Sequence, residues 1–182
     1  MTLAVSGCGY NRLQAQDDAV GARWTALLTQ YRQRAAQAAE LEQMVARFQA
    51  RRDATSGDLA QARARIAAMH AGVALPDDSV AFRRFEAAQR ALGSALDRLL
   101  ARSSRVPGLA ADTRFHALRA SILSGDAQLA AARRGYDAAV QSYNASVTRF
   151  SDRFTARTFG FARKPGLEIE AVHAERGDHD AR

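Results

Sequence analysis

This chain is poor in the residues that build sheets, staples and membrane spans. Of 182 residues one is Cys, three are Pro and one is Lys, and aromatics make up 7%. A single cysteine excludes an internal disulfide, CxxC redox chemistry and zinc sites that need two thiolates. Strand-building runs of Val, Ile and Thr are missing, which argues against sandwiches, barrels and parallel sheets. No uncharged apolar stretch reaches the roughly 18 residues a transmembrane helix needs. Glycine-rich phosphate loops, nucleophile elbows and HExxH are also missing, so no catalytic motif is present and no enzyme is expected.

Alanine is what the chain has instead, at 41 positions. Ala is the best helix former and Pro the worst, so this balance predicts helix throughout. With 47% hydrophobic and 25% charged residues, the chain can bury a core and falls outside the disordered class. Its length suits one domain with a tail.

The formal net charge is +7, and 25 of the 26 basic residues are Arg, Lys164 being the exception. A nucleic-acid site concentrates its cations on one face, often beside exposed aromatics. Here the arginines are scattered in pairs such as Arg51-Arg52, Arg83-Arg84 and Arg133-Arg134, among interspersed acids. That pattern reads as a solvated basic surface. Attraction to anionic lipid headgroups or acidic polymers needs only the net charge.

The apolar residues fall at helical spacing. Leu13, Val20, Trp24, Leu27, Tyr31, Ala38, Leu41, Val45 and Phe48 form one stripe, continued by Leu59, Ala62, Ile66, Met69 and Val73. This unbroken phase predicts a single long rod over 13–73, with a kink rather than a reversal at Ser56-Gly57-Asp58. Residues 72–78 read as a turn, Gly72 supplying a left-handed helix end and Asp77, Asp78 or Ser79 a cap. A second helix carries Phe82, Phe85, Gln89, Leu92, Leu96 and Leu99. After a connection at 103–111, Asp112 is a cap for a third helix through Phe115, Ile122, Leu129, Tyr136, Val140, Tyr143 and Phe150. Phe159 and Phe161 alternate as an extended segment would, and apolar periodicity stops at Pro165. The expected fold is all-α, an elongated antiparallel bundle of three to four long helices. Residues 1–11 form an anchor segment, 12–162 the bundle and 163–182 a flexible tail.

Cys8 follows Val5-Ser6-Gly7. An apolar residue and two small residues before a Cys resemble the bacterial lipoprotein signal, in which the sulfur receives a diacylglyceryl group and the chain is cut just before it. Two or three acyl chains anchor stably where one binds only marginally. A complete signal has a basic start and an apolar core of about 7–15 residues, whereas only seven residues precede this Cys. Either the start codon lies upstream or the likeness is accidental; the first alternative makes Cys8 a lipid-attachment residue.

Several local sequences, taken in order, resemble the LemA family of bacterial proteins. They are Cys8-Gly9-Tyr10-Asn11, Trp24, Tyr31-Arg32-Gln33-Arg34, Phe115, Ala131-Ala132-Arg133-Arg134, Tyr136-Asp137-Ala138-Ala139-Val140, Tyr143-Asn144 and Phe159-Gly160-Phe161. The resemblance implies an antiparallel bundle of long helices associated with the bacterial envelope through a membrane segment or a lipoprotein-type start. Gly9 after the Cys, by likeness to sorting signals, permits the outer membrane. It implies no settled activity. The chain departs from the family at Ala36-Gln37-Ala38-Ala39-Glu40-Leu41, which lacks the usual proline. It departs again at Asp137, where an Asn is usual, and around Gly125-Asp126, where a Glu is usual.

Tyr136 and Tyr143 are seven apart and share a helix face, with Asn144 beside them. Together they are candidates for a polar interaction stripe, against the favoured reading of buried rings with Asn144 setting helix register. His70, His116, His173 and His179 are the histidines. The one Glu-x-x-His spacing, Glu170 to His173, lies in the tail rather than on a packed helix. No metal or cofactor is expected. The sequence therefore reads as a membrane-associated envelope lipoprotein, tethered by acyl chains on Cys8, that acts on a protein partner through its rigid surface. The alternative is a soluble basic coiled coil binding nucleic acid or acidic polymer.

Overall fold

The computed structural model describes residues 4–48, 54–151 and 161–167. It is all-helical: α1 Ala4–Phe48, α2 Ala54–Ala68, α3 Ser79–Ser103, the short α4 Pro107–Ala110 and α5 Thr113–Ser151. Among the described residues there is no strand, and no helix is long and apolar enough to cross a membrane.

The helix ends follow local chemistry. Asp78 caps α3, its carboxylate accepting from Val80 N and Ala81 N at 3.0 Å each. Asp112 caps α5 by accepting from Arg114 N at 2.7 Å and Phe115 N at 3.3 Å. Both satisfy N–H groups that the first helical turn leaves without an intrahelical partner. Pro76 opens a 3₁₀ turn at Leu75–Asp77 and Pro107 opens α4, positions where a missing N–H costs nothing. The left-handed residue after α2 is His70, with φ of 47°, and not Gly72 as the glycine suggested.

The expected continuous rod over 13–73 is corrected here: the chain reverses between Phe48 and Ala54, and α2 runs back antiparallel along α1. Glu42 on α1 meets Arg63 on α2 at 2.6 Å, and the Trp24 indole donates to Gly72 O at 3.0 Å. Ser56-Gly57-Asp58 lies at the start of α2, not at a kink. A heptad phase reports only which face is buried, and both arms of a helical hairpin present that face to the same core. The stripe therefore passes through the reversal without a break in period.

The long helices α1 and α5, about 67 and 58 Å at 1.5 Å per residue, pair antiparallel. Gln16 meets Ser142, Arg34 meets Asp126 and Gln37 meets Ser121 along their length. The α2–α3 hairpin packs across them. One half of the core is aliphatic, built on Leu41, Leu59, Leu92, Leu96, Leu118 and Ile122. The other is aromatic, with Trp24 at its centre: its ring lies 5.4 Å from Phe82, 5.5 Å from Tyr136 and 5.9 Å from Phe85. Beyond the α2–α3 connection α1 and α5 continue together as a stem, inside which Leu13 and Val147 are buried.

Candidate functional site

The residues that sequence singled out on α5 lie inward. Tyr136 and Tyr143 are buried, and with Asn144 they hold a segment of their own chain. The Tyr136 hydroxyl donates to Pro165 O at 3.0 Å. Asn144 reads Lys164 twice, Nδ2 donating to its carbonyl at 2.8 Å and Oδ1 accepting from its N–H at 2.9 Å. One turn-pair earlier, Asp137 Oδ1 accepts from Leu167 N at 2.7 Å. The seven-residue spacings 136/143 and 137/144 thus grip residues 161–167, and the packed chain runs past the boundary expected at 162. Of the expected extended pair, Phe161 meets Tyr10 at 5.6 Å, and Phe159 lies outside the described residues.

Lys164, the sole lysine, closes this grip. Its Nζ lies 2.6 Å from Asp77 and 3.0 Å from Asp17, 5.7 Å from the Tyr143 ring centroid. Burial alone would depress its pKa, but the two carboxylates more than reverse this and raise it. For Asp137 burial dominates and raises the carboxyl above its ordinary value, against the opposing pull of the Leu167 N–H and Arg133. Its second oxygen, Oδ2, is buried with no hydrogen-bond partner among the described residues.

A polar belt separates the aliphatic and aromatic halves. Arg34 pairs with Asp126 at 2.8 Å, and Gln37 donates to the Ser121 hydroxyl at 2.9 Å and its carbonyl at 3.0 Å. Buried Glu86 lies 3.4 Å from both Arg90 and Arg133. Two helical glycines make the room: a Cβ on Gly93 would come within 2.9 Å of Arg34 Nη1, and one on Gly125 within 3.1 Å of Gln37 Oε1. The Tyr31 phenol beside this belt is pushed up to about 12, chiefly by burial, with Arg133 opposing. The Tyr31 hydroxyl, Arg34 Nε and Gln89 Oε1 are buried without hydrogen-bond partners among the described residues. Helical spacing alone did not reveal the belt. The available signal was a polar residue, Gln89, in the stripe between Phe85 and Leu92.

On the outer side of Tyr31 and Gln89 lies a cleft of about 540 Å³ between α1 and α2, floored by α3. Five alanines line it, and Arg32, Arg63 and His70 stand along its walls.

Cys8 belongs to the opening turns of α1. Among the described residues no group of three or more His, Cys, Asp or Glu could hold a metal ion. His173, His179 and Glu170 lie outside the described residues. The model of the LemA family matches residues 23–178. No curated protein matches the chain.

Proposed function

The chain belongs to the LemA family, and from that premise we propose that it is a lipid-anchored rod of the bacterial envelope that works by protein contact. The observation that carries this reading is where Cys8 falls in the architecture. Asp17 and Asp77 share Lys164, so α1 runs on past the α2–α3 connection over residues 4–16, roughly 20 Å of helix. Acyl chains on Cys8 would leave from the end of that stem. The closed four-helix part would then stand off the bilayer, with its far end, around α4 and the start of α2, reaching outward.

Two features support a mechanical rather than a chemical role. Glu86 and Asp126 in the belt are tied to guanidinium groups, an arrangement that sets helix register. The net charge of +7 also favours anionic headgroups. Function on this reading consists of tethering by Cys8 and presentation of a rigid surface to an envelope partner.

The deciding experiment is intact mass of the N-terminus after expression from native upstream DNA, beside Cys8→Ala. A mature chain beginning at Cys8 and heavier by a diacylglyceryl group is expected, with Cys8→Ala moving to the soluble fraction. An unmodified chain retaining Met1 and found in the soluble fraction overturns the anchor. It would leave the basic coiled coil that binds acidic polymer as the working hypothesis.

A further inference from the structure

We propose that the cleft between α1, α2 and α3 binds a small anionic amphiphile, a molecule with an apolar body, a hydrogen-bond donor along it and one anionic group at its outer end. The walls explain the apolar body. Ala35 on α1 stands with Ala60, Ala64 and Ala67 on α2, and these short side chains leave about 540 Å³ unfilled beside Phe85. Helix pairs ordinarily interdigitate to near-crystalline density, and this volume falls within the usual range for small-molecule sites.

The floor explains the donor. Gln89 lines the cleft while only 2% exposed, and its amide oxygen accepts no hydrogen bond among the described residues. A buried amide left this way is destabilising, and a guest N–H or O–H would relieve it. The rim explains the anion. Arg32 is exposed at the edge, and Arg63 is held there by Glu42 at 2.6 Å. None of the described residues lining the cleft is acidic. This proposal is independent of what happens at Cys8.

Anilinonaphthalene sulfonate carries the whole pattern: fused and pendant rings, an N–H and a sulfonate. Titrated into the full chain, it should bind saturably at one site, with N-dodecanoylglycinate, which carries an amide N–H and a carboxylate, displacing it and dodecyltrimethylammonium, of equal chain length, failing to do so. Ala64→Phe fills the cleft and should abolish binding. Gln89→Leu should weaken it without lowering the melting temperature. Arg32→Glu should weaken it about fivefold, the effect of one solvent-screened charge contact. Arg119→Glu, the same charge change on the exposed face of α5, should leave it unchanged. Absence of saturable binding overturns the proposal, as does equal displacement by the cationic chain or an equal effect of the two arginine variants. Should Ala64→Phe fail to fold, the comparison of Arg32→Glu with Arg119→Glu still decides.

Discussion

Trp24 and Gly72, 48 positions apart, are joined by a 3.0 Å hydrogen bond from the indole Nε1 to the carbonyl oxygen. That contact locks α1 to the end of the α2 arm and places the only tryptophan at the centre of the aromatic core. It also requires the chain to double back, since the same two residues on a continuous helix would stand about 72 Å apart at 1.5 Å per residue.

Trp24→Phe should lower stability by about 2–3 kcal/mol, from lost ring volume and an orphaned Gly72 carbonyl. Urea unfolding followed by circular dichroism checks this. A loss under about 0.5 kcal/mol, the ordinary scale for surface substitutions, would mean that the indole is not packed as described.

Asp137→Asn tests the raised carboxyl. The folded state holds the proton more tightly than the unfolded chain, so wild-type stability falls as pH rises through the window from the ordinary value of 3.8 up to the raised folded value. Asn keeps the oxygen that accepts from Leu167 and removes the titration. Above this window the variant should be more stable than wild type by about 1 kcal/mol, on the scale of one buried unpaired polar atom. Below pH 3.8 the difference should close. Thermal melts across pH read both arms, and a difference that does not change with pH would contradict the assignment.

Two glycine substitutions should part company. A Cβ at Gly21 meets nothing within 4 Å, so Gly21→Ala should stabilise by about 0.5–1 kcal/mol through helix propensity. At Gly125 the new methyl would press on the Gln37 amide at 3.1 Å and disturb its bonds to Ser121. There the gain should be cancelled or reversed. Equal stabilisation at both sites, measured by chemical denaturation, would show the belt to be looser than the geometry implies.

Asn144→Ala removes both bonds to the Lys164 backbone and should cost about 1–2 kcal/mol, on the scale of two ordinary hydrogen bonds. Hydrogen exchange should localise the effect, with the Lys164 and Leu167 amides losing protection while the α2–α3 hairpin keeps it. Uniform loss along the bundle would argue that residues 161–167 fold with the core as one unit.

Much of the bundle was readable from residue types. Asp112 announced its helix by a short carboxylate placed ahead of an apolar run, and the stripes through Phe82 and Phe115 named the buried faces. Tyr136, Tyr143 and Asn144 were marked as a set because seven-residue spacing puts side chains on one face. Spacing does not say what that face meets, and here it meets Lys164, Pro165 and Leu167. Glu86 and Arg133 are 47 positions apart and carry no mutual signal in sequence.

The sequence by itself determined the all-helical class, the faces that are buried, the cap at Asp112 and the likeness to one family. These follow from propensity and periodicity, which act within a few residues. Only the tertiary structure decided that α1 and α2 form a hairpin, that Gly93 and Gly125 make room for Arg34 and Gln37, and that an alanine-walled cleft lies over Gln89. Those features depend on which helices meet and at what depth. Packing between distant segments settles that, and a stripe of fixed period is equally satisfied by every partner that can cover it.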